Sequence, residues 1–194
     1  MKTTLDRIDF DILALLQKDA RLSNKELAVS VGLAQSTCLL RIQRLRQLGF
    51  LGTAHAEVSP EAVGVGLQAL VAVRLRQHRR PQVQAFWAHV NSLPEVLAAY
   101  HLTGAHDFLL HVAVRDARYL RDFAMDDLST RPEVEHLETS LIVDFARNPV
   151  LPVFAQPGDP IMTAGARADG AVPEPDRAAK RQRKASKRAG KATR

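Results

Sequence analysis

Apolar residues at Leu5, Ile8, Ile12, Leu15 and Leu16 recur three and four apart, which places them on one face of a helix. Asp6, Asp9 and Asp11 load its first turns, where the helix dipole favours acids. A second, short helix opens at Ser23. Glu26 stands three residues on, the S-x-x-E spacing of a capping box, and Leu27, Ala28 and Val31 form the inner face. Gly32 ends this helix as a left-handed glycine cap would. A third helix is predicted from Gln35 to Leu48, stopping at Gly49, with Cys38, Ile42 and Leu45 as its inner row and Arg41 and Arg44 flanking that row. Three short helices with a glycine turn between the last two match the helix-turn-helix pattern. There the third helix projects from the surface and can enter a major groove; its polar start, Gln35, Ser36 and Thr37, suits base edges or phosphates. The same pattern also fits a plain three-helix packing unit with solvated arginines.

The period then changes. Residues 50–60, "FLGTAHAEVSP", alternate loosely, as a small β wing closed by Pro60 would. "GLQALVAVRL" is a strand with Leu67, Ala69, Val71, Val73 and Leu75 on one face. Pro81 takes the N1 position of a helix with Val83, Phe86, Trp87 and Val90 at helical spacing. Two strands, "EVLAAYHLT" and "DFLLHVAV", flank the turn "GAHD" at 104–107. "ARYLRDFAMDDLS" is a second helix with Leu120, Phe123 and Leu128 inward, and "EVEHLETSLIVDF" a final strand. "LPEV" (Leu93 to Val96) and "RPEV" (Arg131 to Val134) each follow a helix and precede a strand, an internal echo expected of two halves of a ferredoxin-like βαββαβ sandwich. Such a sheet has helices on one face only. Its other face, rich in Leu, Val and Ala, needs a cover, and a second copy of the chain is the simplest one.

The predicted class is therefore α+β: a winged helix-turn-helix domain with a linker strand at 1–60, a ferredoxin-like dimerisation domain at 61–154, and a tail at 155–194. The tail has too few large apolar residues to offset its own ordering and is expected to be disordered.

Charge alters the picture only there. The formal net charge is +6, and residues 155–194 hold 10 Lys/Arg against 4 Asp/Glu, so the excess sits in the tail while the body is nearly neutral. The single cysteine, Cys38, excludes an internal disulfide and a cysteine metal site and reads as a small core residue. No apolar run reaches membrane length, and "MKTTLDRIDFDI" has acids where a signal peptide needs bare hydrophobicity. A soluble, cytoplasmic, nucleoid-associated protein is expected.

Taken together, "LDRIDFDILALLQKDARLSNKELAVSVGLAQSTCLLRIQRLRQLGFL" resembles the DNA-binding domain of the Lrp/AsnC (leucine-responsive, feast/famine) transcriptional regulators. The "LDxxDxxIL" opening, "VGL", the "TC" pair and "RIxRLxxxGF" carry the resemblance. The βαββαβ unit is similar to that family's sensing domain, with a "TG-x-x-D" turn at Thr103 to Asp107 and a "TS" pair at Thr139 and Ser140. The resemblance implies a sequence-specific DNA-binding regulator, not an enzyme and without a cofactor. It would bind double-stranded DNA as a homodimer, tetramer or octamer, modulated by a small effector, mostly an amino acid, held between subunits. Gln35, Ser36, Thr37, Arg41 and Arg44 would face DNA, although Ala34 stands where a serine cap is common and Leu40 where a polar residue is usual. Gly104, Ala105, His106, Asp107, Thr139 and Ser140 would hold the effector, although Ala105 replaces a frequent acid.

Blander readings stand beside these. Arg41 or Arg44 could pair with acids of the first helix, Asp107 could bond its own turn, and Thr139 and Ser140 could be ordinary strand residues. His101, His106 and His111 are five apart along the hairpin, but no His-x-His or carboxylate pairing supports a metal site. Sirohaem decarboxylases resemble this architecture and provide an enzyme alternative. The family does not supply the tail. Lys180, Arg181, Arg183, Lys184, Lys187 and Arg188 read either as a nonspecific phosphate-binding polycation or as an inert extension.

Overall fold

The computed structural model describes residues 2–162, which fall into two compact units: residues 2–57 with 146–162, and Val58–Phe145. The first unit begins with a short strand, β1 (Lys2–Thr4), and three helices, α1 (Arg7–Lys18), α2 (Asn24–Ser30) and α3 (Gln35–Gln47). Capping boxes start α1 and α2: Asp6 and Asp9 exchange side-chain-to-backbone bonds, as do Ser23 and Glu26. Gly32 and Gly49 end α2 and α3 at φ +68° and +73°. In both stops the glycine N–H and the following N–H fold back onto the last turn, Gly32 to Val29 and Leu33 to Ala28, then Gly49 to Arg46 and Phe50 to Leu45. These are two Schellman motifs, and Leu33 and Phe50 pack onto the core beneath. That core is Leu5, Ile12, Leu27, Ala28, Cys38, Ile42 and Leu45. The Cys38 thiol is fully buried, and burial raises its pKa.

The second unit runs from a 3₁₀ turn (Glu61–Val63) through β2 (Leu67–Leu75), α4 (Arg80–Asn91), β3 (Val96–His101), β4 (Phe108–Val114), α5 (Ala117–Phe123) and β5 (Val134–Leu141). The sheet is antiparallel in the order β3-β4-β2-β5. Alternate residues of β2 (Ala69, Val71, Val73, Leu75) face Phe86 and Val90 of α4 and Leu120 and Phe123 of α5. A π-helical turn, Ala124–Ser129, continues α5. It accommodates the five-residue step from Phe123 to Leu128 that an α-helix would rotate out of the core. The LPEV and RPEV echo is structural: Val96 N–H bonds Leu93 and Val134 N–H bonds Arg131, so both strands start from the same turn.

Two expectations change. Residues 50–60 form no strand; Gly52 to Ala56 are small or polar and exposed, so a wing there would have nothing to bury. The first unit's sheet is instead β1 paired with a last strand, β6 (Pro160–Met162), in the register Thr3↔Ile161. The segment after Phe145 thus belongs to the helical unit, and residues 155–162 of the expected tail are ordered. Gly158 N–H bonds the Leu5 carbonyl and Ile161 packs on the core, so apolar burial and ladder bonds offset the ordering. The basic positions Lys180, Arg181, Arg183, Lys184, Lys187 and Arg188 lie outside the described residues.

Candidate nucleic-acid interface and effector region

At 100° per residue, the side of α3 opposite Cys38, Ile42 and Leu45 carries Ser36, Leu40, Gln43 and Gln47, all exposed. Gln35 and Thr37 are exposed beside them at the start of the helix. Ala34 is the N-cap and offers no side-chain acceptor, so no side chain caps this end.

Arg41 and Arg44 do not join that surface. Arg41 Nη1 reaches Asp6 Oδ2 at 2.7 Å and Asp9 Oδ1 at 2.8 Å, and Arg44 Nη1 reaches Asp9 Oδ2 at 3.1 Å. Arg44 Nη2 also donates to the Thr4 carbonyl at 3.1 Å. The Asp9 side chain is 1% exposed, so a buried carboxylate at the base of α1 holds both cations. Partial burial works against the Asp6 carboxylate, but the Asp9 N–H and the Arg41 guanidinium outweigh it and hold its pKa below the ordinary value. The two arginines lean onto α1 because a buried Asp9 without them would be an unpaired charge. This is the alternative in which the two arginines pair with acids of the first helix. The matched three-residue spacings, Asp6/Asp9 and Arg41/Arg44, were the available signal.

In the second unit Gly104 sits at φ +130° in an exposed turn with Ala105. His106 Nε2 lies 3.5 Å from Glu138 Oε2 of β5. Asp107 is buried and engaged: Oδ2 accepts the Leu75 N–H at 2.7 Å, Oδ1 meets His78 Nε2 at 2.7 Å, and its own N–H bonds Val73. It clamps the hairpin turn to the end of β2. Thr139 pairs with Val71 and Ser140 with Leu70, so their side chains point to opposite faces of the sheet. Ser140 lies on the face away from the helices.

The register also separates the turn from Ser140. Phe108, next to Asp107, is opposite Val73, and Ser140 is opposite Leu70. That is about 10 Å along the strands and about 9.5 Å across the two strand spacings between β4 and β5. Within one chain His106 reaches β5 at Glu138, two residues from Ser140 on the same face, while the backbone of the turn stays at that distance.

The helix-free face carries Leu70, Ala72, Leu109, His111 and Ala113. His111 Nε2 bonds Gln68 Oε1 at 2.8 Å, and its ring meets Phe145 edge-on. Burial lowers the His111 pKa. Leu70, His111 and residues 141–145 line an open cleft of about 510 Å³. His101 instead stacks on Phe108, and among the described residues no three His, Cys, Asp or Glu side chains are grouped to hold a metal.

Two family models match this chain: a winged helix-turn-helix DNA-binding model over residues 5–51 and an Lrp/AsnC ligand-binding-domain model over residues 68–147. The chain belongs to the Lrp/AsnC family of transcriptional regulators. It is 42% identical over 143 residues to the HTH-type transcriptional regulator AldR of Mycolicibacterium smegmatis, covering 74% of this chain and 84% of that protein. It is 33% identical to the DNA-binding transcriptional activator DecR of Escherichia coli K12, covering 72% and 92%. A Neisseria meningitidis transcriptional regulator solved as an L-Met complex superposes with a TM-score of 0.68 at 34% identity, over 75% of this chain and 94% of that one. These Lrp/AsnC relatives are regulators, and none supports the decarboxylase alternative. The β6 segment lies beyond the matched ligand-binding model, which ends at residue 147.

Proposed function

We propose that this Lrp/AsnC regulator reads its operator with the outward side of α3 and answers to an amino acid bound between two sensing units. The observation that carries the DNA reading is the exposed row on α3, set opposite a fully packed core row and left free of side-chain caps. Gln35, Ser36 and Thr37 then meet phosphates or base edges at the uncapped helix start, where backbone N–H groups favour anions. Arg41 and Arg44 act by positioning: their bonds to Asp6 and Asp9 fix α3 against α1.

For the effector, support comes from the L-Met complex of the Neisseria relative and from the separation of the Gly104–His106 turn from Ser140 within one chain. A second chain would close that gap. The helix-free sheet face, with Leu70, Leu109 and the exposed Leu141, Val143 and Phe145 near it, is the surface it would cover, giving a homodimer capable of larger assemblies. Residues 177–194, nine Lys/Arg with no acid, add sequence-independent phosphate contacts, and the protein works in the cytoplasm on the nucleoid.

Fluorescence-anisotropy titration of a mapped binding site, with and without each of the twenty amino acids, tests the proposal. Specific binding modulated by at least one amino acid is expected. Binding indifferent to DNA sequence, or unmoved by any amino acid, contradicts the corresponding half.

A further inference from the structure

The outward face of α3 has a composition that points to a base preference. Ser36, Leu40, Gln43 and Gln47 contain no charge. Leu40 sits at the centre with 66% of its surface exposed, an apolar side chain where a merely solvated helix would carry a polar one. Gln43 is three residues on, its neighbour on the same face. The two arginines of the helix's middle turn, the side chains best suited to guanine, are held by Asp6 and Asp9.

In a major groove, an apolar side chain finds its partner in the thymine C5-methyl group, and glutamine finds its bidentate partner in adenine N6 and N7. We infer that Leu40 and Gln43 select A·T pairs at the centre of each half-site, Leu40 against a thymine methyl and Gln43 against an adjacent adenine. The inference rests on the reading of α3 as the operator-binding helix and adds the bases it prefers.

The test uses the full chain. Duplexes are selected from a random library, and each thymine of the selected half-site is then replaced in turn by deoxyuridine, which removes only the methyl group. One position per half-site should lose about fourfold in affinity, the factor that burial of one such group corresponds to. Leu40→Ala, at an exposed position that leaves the core intact, should bind more weakly and be indifferent to that replacement. Gln43→Ala should relax selection at the neighbouring pair. A half-site centred on G·C, or a Leu40→Ala protein that keeps the uracil sensitivity, overturns this inference while leaving operator binding by α3 standing. So does a Leu40→Ala protein whose assembly size changes while its affinity for DNA does not. Failure to select any sequence overturns both.

Discussion

Arg41→Ala separates a positioning arginine from a DNA-reading one. In the free protein Arg41 is 26% exposed and bonds the 1%-exposed Asp9 carboxylate at 2.8 Å. A charge-assisted bond of this kind contributes about 1.5–3 kcal/mol, and the partial exposure of the guanidinium puts it at the low end. The second contact, to the half-exposed Asp6, adds at most about 0.5 kcal/mol. Arg41→Ala should therefore cost about 2 kcal/mol in the helical unit. Arg44→Ala should cost about 1 kcal/mol or less, since its bond is longer, at 3.1 Å, and its side chain 44% exposed. The double variant should exceed the sum by about 1 kcal/mol or more, because Asp9 then stays buried with no cation. The only tryptophan, Trp87, and both tyrosines lie in the other unit, so the assay is native-state hydrogen exchange of α1 and α3 amides in the full chain. Unchanged α3 protection in Arg41→Ala, together with weaker operator binding and a salt slope shallower by about one, would refute the positioning role.

Ala34→Ser should raise α3 stability by about 1 kcal/mol, read from the same amides, because the N-cap backbone is extended and lacks an acceptor. Asp107→Ala should lower the stability of the sensing unit by about 2 kcal/mol, followed by urea unfolding through Trp87 fluorescence, since it leaves the buried Leu75 N–H without a partner. His111, whose folded pKa burial depresses below its unfolded value, should give a stability fully present above about pH 6.5 and lost as pH falls through the folded pKa. His111→Gln should flatten that dependence in the same fluorescence assay.

Most of the architecture was legible because local chemistry and global packing agree in this chain. Gly32 and Gly49 announced two helix stops, and alternation along β2 announced which residues face the helices. Helical spacing likewise separated Cys38, Ile42 and Leu45 from the rest of α3. What stayed open or escaped depends on contacts between distant segments. Arg41 lies about 70° from the centre of the core row at 100° per residue, a boundary position that can turn toward a groove or toward α1, and the buried Asp9, 32 residues earlier, decides it. Asp107 reads as a turn residue because its partners, Leu75 and His78, are remote in sequence. β6 has no periodic signal at three residues; its pairing with β1 makes it a strand. Thr139 and Ser140 are adjacent as letters, and strand geometry sends their side chains to opposite faces.

The most direct test of the account is selection of double-stranded DNA by the full chain and by a Ser36→Ala, Leu40→Ala, Gln43→Ala variant, side by side at matched salt. All three residues are exposed, so the variant should retain the helical unit's hydrogen-exchange pattern. The parent should enrich one operator with two related half-sites. The variant should lose that enrichment while keeping the salt-dependent, sequence-independent binding that phosphate contacts supply. Enrichment of the same operator by both proteins with equal affinity would contradict the assignment of α3's outward face as the reading surface.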